Sequence, residues 1–234
     1  GQPELTGAFV RLATDGRWIG WVSPGEGREA VAHYYDTTTG KAVEQGLELA
    51  QGRSEFSPLV SMDAGRAYLT AADGPSVTTL PQDGRTFEIR ALSGPIPDGE
   101  TFVDARGGSI ARYAAQGVLV GPSWDLAKAI DGPPVLESRG VLSPDGSAFA
   151  PNADTIRVVT LDGADVTPAV EPRYSFFSTV YEWLDDDTVA VIAAEAEQGP
   201  YALLRCELSG PCTTEASFAD PDGLQLPVGS PIGD

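Results

Sequence analysis

Apolar and β-branched residues fall in short runs along this chain, and each run is cut by an acidic or glycine-bearing turn. In the first stretch, residues 8–12 lead into Asp15-Gly16, residues 17–22 follow, and a Pro-Gly loop at 24–29 precedes residues 29–35. The turn from Asp36 to Gly40 then returns the chain through residues 41–43. A later stretch condenses the same plan: residues 140–142, the turn Ser143-Pro144-Asp145-Gly146, residues 148–150, 154–161, Asp162-Gly163 and 164–167. Apolar runs of about four to eight residues broken by Asp-Gly predict strands joined by hairpins. No segment carries a convincing helical period.

The pattern recurs. Acidic turns at Asp15, Asp63, Asp104, Asp145 and Asp186 follow one another at steps of 48, 41, 41 and 41 residues. Repeats of this length holding several short strands predict the blades of a propeller. The expected fold is all-β: one β-propeller domain spanning 1–234, most simply five blades of about four antiparallel strands. The blades are placed at 4–50, 54–93, 100–132, 137–170 and 175–220, with a tail at 221–234 that closes the ring. Residues 4–12 and 224–228 are the expected closing strands, because an open ring leaves edges unpaired. The third repeat is the weakest, and residues 123–130 there read either as its outer strand or as a helical turn in that place. The first interval is longer than the others, with the extra length in residues 44–55.

Ser143-Pro144-Asp145-Gly146 resembles the Ser-Pro-Asp-Gly signature of WD40-like, TolB-type β-propeller repeats, and the Asp-x-x-Thr-Gly turn from Asp36 to Gly40 is similar to their outer hairpins. By pattern the resemblance covers most of the chain, although only the fourth repeat carries the full motif. It implies an extracytoplasmic protein-interaction module; a fold shared by many functions implies no more.

Charge narrows the partners. With 34 acidic against 15 basic residues and a formal charge of −19, the surface repels phosphate backbones, so nucleic acid and anionic membranes are excluded as expected partners. No apolar stretch reaches the roughly 20 residues that span a bilayer. The single methionine is Met62, so Gly1 is read as the product of processing or excision, with any signal or anchor outside this sequence. Cys206 and Cys212 bracket a Gly-containing turn, where opposed hairpin residues have the separation a disulfide needs. Such a bond implies an oxidising compartment and hence export.

Candidate chemistry is sparse. Aspartates at equivalent turns, and the run Asp185-Asp186-Asp187, could gather cations, but Asp before Gly already has a role in accepting turn amides. Calcium needs six or more converging oxygens, so no metal or cofactor is expected. His33 lies in a strand pattern with no Gly-x-Ser-x-Gly elbow in the chain, and reads as a structural or surface residue. Trp18, Trp21, Trp124 and Trp183 read mainly as core.

The expected function is therefore a non-catalytic, exported binding or scaffold module whose protein or small-molecule ligand the sequence does not name. The alternative is a carbohydrate-active enzyme resembling five-bladed glycoside hydrolases, with Glu55, Asp104, Glu137 and Glu182 as carboxylates nearest a central channel. A structural ectodomain that docks on another part of its own full-length protein is a third expectation. For the binding module, loops held on a rigid scaffold are where ligand contacts concentrate. The charged loops at 24–29 and 195–200, with the aromatic and cationic segment from 173 to 177, place the expected site at Glu26, Arg28, Arg173, Tyr174, Glu195 and Glu197, acidic enough to favour a basic partner.

Overall fold

A computed structural model describes residues 10–49, 58–81, 87–153, 155–197 and 199–218. It contains five antiparallel sheets, each a meander of strands consecutive in sequence. The first holds β1 (Arg11–Leu12), β2 (Trp18–Pro24), β3 (Glu29–Asp36) and β4 (Lys41–Glu48). The second holds β5 (Leu59–Asp63), β6 (Arg66–Ala71), β7 (Gly74–Thr79) and β8 (Glu88–Ala91). The third holds β9 (Thr101–Arg106), β10 (Ser109–Ala114), β11 (Gly117–Gly121) and β12 (Lys128–Ala129). The fourth has three strands, β13 (Gly140–Leu142), β14 (Ala148–Pro151) and β15 (Val159–Thr160). The fifth holds β16 (Phe177–Asp185), β17 (Thr188–Ala194), β18 (Tyr201–Glu207) and β19 (Cys212–Phe218). Five such meanders are the blades of a β-propeller, and the fold class is all-β. The only helix among the described residues is a 3₁₀ turn, Pro172–Tyr174.

Two details refine the expectation. Residues 123–130 end in β12, which pairs with β11, and hold no helix. Residues 164–167 do not add a fourth strand to the fourth sheet. The Thr167 hydroxyl there takes the place of a ladder group, accepting from the Val158 amide at 2.9 Å, while the Val166 amide reaches the Val158 carbonyl at 3.0 Å. The long first interval is partly strand: β4 runs through Glu48. Of the expected closing strands, only residues 10–12 fall inside the described residues; Leu224 and Val228 lie outside them.

Chain contacts group into two compact units, 1–98 and 99–234. In the first, Trp18, Ala32 and Tyr34 point from the first sheet onto Leu59, Met62, Ala67 and Leu69 of the second. The alternation in β3 is strict: Ala30, Ala32 and Tyr34 are buried, whereas Val31, His33 and Tyr35 face outward. Gly20 lets the sheets close together, since a Cβ there would lie 2.5 Å from the Met62 sulfur.

In the second unit the fourth sheet is covered on both faces. Leu142, Phe149 and Val159 pack with Ala111, Val118 and Val120 of the third sheet. Val141, Ala148 and Ala150 pack with Val180, Trp183, Val189 and Val191 of the fifth. This double burial accounts for the unbroken apolar runs of β13 and β14, where alternation would otherwise be expected. The last strands are the polar ones: every residue of β8 is exposed, and so is most of β19. Polar outer strands blunt edges that would otherwise recruit other chains.

Cys206 and Cys212 are directly opposed between β18 and β19 and form the expected disulfide, with S–S 2.03 Å.

Candidate functional site

The residues expected to bind a ligand fall in two groups, one in each unit. In the second unit, Pro172 opens the 3₁₀ turn that links the fourth sheet to the fifth. The Arg173 guanidinium lies over the Tyr174 ring at 4.7 Å, pairs with Glu171 at 2.9 Å and comes within 3.8 Å of Glu195. Tyr174 is buried and anchors the turn in the core, while the Arg173 side chain is half exposed. Glu195 ends up there because β17 stops at Ala194 and the following loop folds on itself, Gly199 donating to the Ala196 carbonyl at 3.0 Å. Glu197 is exposed, and its carbonyl accepts from the Tyr201 hydroxyl at 2.9 Å. Phe176, also exposed, adds an apolar neighbour in sequence. In the first unit, Arg28 donates to the Leu49 carbonyl at 3.0 Å and pairs with Glu48 at 3.2 Å, while Glu26 is exposed in the β2–β3 loop.

Of the carboxylates named for a channel site, Asp104 and Glu182 are held by Arg106. Asp104 was expected at an acidic turn, but it lies inside β9 and is 2% exposed, because the chain turns three residues later at Gly107-Gly108. Its carboxylate accepts from the Leu142 amide of the fourth sheet at 2.8 Å and pairs with Arg106 at 3.2 Å. Arg106, itself buried, also grips Glu182 of β16 with two nitrogens, one contact being 3.1 Å. One guanidinium thus ties three successive sheets through two carboxylates. Glu137 precedes β13, and its Oε2 is buried without a hydrogen-bond partner. Glu55 lies outside the described residues. No group of three or more His, Cys, Asp or Glu among the described residues is arranged to hold a metal ion.

The turn aspartates join neighbouring sheets. Thr14 donates to Asp63 at 2.9 Å, and the Asp145 amide donates to Asp186 at 3.0 Å. Gly107, at φ +56°, lies so close to the next turn that a Cβ would sit 2.0 Å from the Asp145 carbonyl carbon. The Ser-Pro-Asp-Gly turn is internally wired as well: Ser143 donates to Asp145 at 2.6 Å and accepts from the Ala148 amide at 2.9 Å. Burial would raise the Asp145 pKa, but hydrogen bonds from Ser143 and Ser147 outweigh it and hold the carboxyl below its ordinary value. In the outer hairpin, the Arg17 guanidinium and the Thr38 and Thr39 donors hold Asp36 well below the usual carboxylate range.

One constellation escaped the sequence reading. On the outward face of the first sheet, Trp21, His33 and Glu44 are direct cross-strand neighbours, and Ser23 lies diagonal to His33. The Ser23 hydroxyl is 2.7 Å from His33 Nε2, and Glu44 is 3.2 Å from His33 Nδ1. Trp21 stacks on the imidazole, centroids 5.0 Å apart and planes 10° apart. The antiparallel register of two hairpins would have been enough to find it, since pairing Trp21 with His33 fixes the rest. Trp18, Trp124 and Trp183 are core residues as expected; Trp21 has this half-buried role instead.

No family model matches the chain, and no curated protein matches it. Solved structures do. Prolyl oligopeptidase B from Galerina marginata aligns over 91% of this chain and 35% of its own length, with 12% identity and a TM-score of 0.51. TolB from Acinetobacter baumannii aligns over 85% of this chain and 53% of its own, with 15% identity and a TM-score of 0.47. The Swd1 β-propeller domain of Myceliophteria thermophila aligns over 92% and 74%, with 11% identity and a TM-score of 0.48. This chain therefore spans about half the length of TolB and about a third of prolyl oligopeptidase B. At such identities the likeness is one of fold.

Proposed function

We propose that this chain is an exported propeller module that binds a basic protein segment. The observation that carries this reading is the assembled, solvent-facing group of Arg173, Glu171 and Glu195, set on a rigid core through Tyr174. Loops on a rigid scaffold bind without a large ordering cost. Carboxylates outnumber the one arginine there, and Glu197 adds another nearby in sequence, so the local field favours a cation. Glu26, exposed in the β2–β3 loop, and Arg28, paired with Glu48, are the first unit's own, separate part of this proposal. The disulfide supports export, since such bonds persist in oxidising compartments. Among the described residues no helix is long and apolar enough to cross a membrane.

The glycoside-hydrolase alternative gains no support from Asp104 and Glu182. An acid–base pair must exchange protons with substrate, and both groups are held by Arg106.

Fluorescence anisotropy with a Lys/Arg-rich peptide, against neutral and acidic peptides of equal length, tests the reading. Binding of the basic peptide should weaken several-fold in a Glu195→Ala/Glu197→Ala double variant and fall steeply with salt. Binding that survives this change but is lost on substituting Asp145 or Asp186 would place the site on the turn side of the blades instead.

A further inference from the structure

We propose that Ser23, His33 and Glu44 form a nucleophilic relay on the outward face of the first sheet, able to take an acyl group from an uncharged ester. This goes beyond the binding reading and does not depend on it.

The hydrogen-bond roles follow from the chemistry of the partners. An ionised carboxylate can only accept, so Glu44, 3.2 Å from Nδ1, favours the tautomer with the proton on that nitrogen. In the neutral ring Nε2 is then an acceptor, and the group facing it at 2.7 Å is the Ser23 hydroxyl. The hydroxyl thus donates to a base whose tautomer is fixed from behind, which is the connectivity that turns a serine into a nucleophile. Trp21, stacked on the ring, holds the imidazole plane, and the strand register sets the rest. None of the three polar groups is sealed in: Ser23 is half-buried, the His33 side chain is 19% exposed and that of Glu44 67%.

The step balances with these groups alone. Ser23 Oγ bonds to the carbonyl carbon of the ester while its proton passes to His33 Nε2. Collapse of the tetrahedral adduct breaks the bond to the leaving alkoxide, which takes that proton away as the alcohol. Water then repeats the sequence on the acyl-serine, releasing the acid and restoring the hydroxyl. Ser23 and His33 are the catalytic residues; Glu44 is a positioning residue that acts through His33. Trp21 and Val31 flank Ser23 on this face, and the exposed Glu44 stands on the far side of His33, so an apolar acyl group without negative charge is the substrate class that fits.

A fluorophosphonate probe on the folded chain tests the relay: Ser23 Oγ bonds to phosphorus, fluoride leaves, and the proton passes through His33 to solvent. Intact mass and peptide mapping should show one adduct, on Ser23. It should be absent in Ser23→Ala. The rate should fall about 100-fold in His33→Gln, within the range a general base contributes. Glu44→Gln should slow labelling by a smaller factor, and Glu44→Asp should recover part of it, which a merely structural glutamate would not do. Melting curves confirm that each variant is folded. An unlabelled Ser23 in the folded chain overturns the proposal; so does an adduct that forms equally fast in His33→Gln or in urea-unfolded protein.

Discussion

The Arg106 cluster of the second unit and the His33 relay of the first are built from similar parts and do opposite things. Each strings polar side chains across strands, and each ends on a glutamate. Around Arg106, both carboxylates are matched by one cation and by backbone amides, and Arg106 and Asp104 are almost wholly buried. Around His33, the chain of bonds runs from a hydroxyl through a ring to a largely exposed carboxylate. Charge closed on itself in the interior specifies packing. A polar series left open to solvent keeps a proton that can move. Burial and the charge of the central group separate the two cases.

The sharpest way to break the comparison is Arg106→Ala. Removing one partner leaves Asp104 buried without its cation, and unfolding measured in urea should show a loss of roughly 3–5 kcal/mol. Reduction and alkylation of Cys206 and Cys212 should cost less, about 2 kcal/mol for so short a loop on chain-entropy grounds, read as a shift in midpoint against the oxidised protein.

Acid should act on the first unit through Asp36. Its folded pKa is depressed by Arg17 and the Thr38 donors, so the stability it adds is present above the unfolded value near 4 and is lost as pH falls below that. Asp36→Asn should lower stability at neutral pH and flatten the acid limb of the curve. The smallest effect belongs to the relay. Ser23→Ala should change stability by no more than about 0.5 kcal/mol, because the hydroxyl sits on a half-open face. A loss comparable to that at Arg106 would show that Ser23 serves packing, and the two clusters would no longer differ.

The repeat plan was legible because hairpins are local: Asp36 to Gly40 and Ser143 to Gly146 form their turns from side chains two or three residues apart. Asp104 was misread for the same reason. Its Asp-x-x-Gly spacing imitates a turn, and only its bond to Leu142, 38 residues away, reveals the strand. Thr167 misled in the other direction, since a side chain there satisfies the backbone where a strand seemed to continue. Of the expected site, the grouping of Arg173, Tyr174 and Glu195 has a counterpart within the second unit, because the link between blades had to pass the end of β17. The relay stayed hidden because it depends on the register of three strands at once, which no single turn signal carries.

The joints between turns also govern which lengths of chain evolution could change. Thr14 meets Asp63, Gly107 meets Asp145, and Asp145 meets Asp186, each through a turn that touches its neighbour in the next sheet. One extra residue in any of these turns would move two sheets at once. The loop that starts at Glu195 lies at the other end of its hairpin, where Glu195 reaches the half-exposed Arg173 side chain at 3.8 Å, a looser joint than these, so a grafted peptide or a naturally lengthened loop belongs there. Within the fifth sheet, length is thus easier to add at that end of the hairpin than at the turn that holds Asp186.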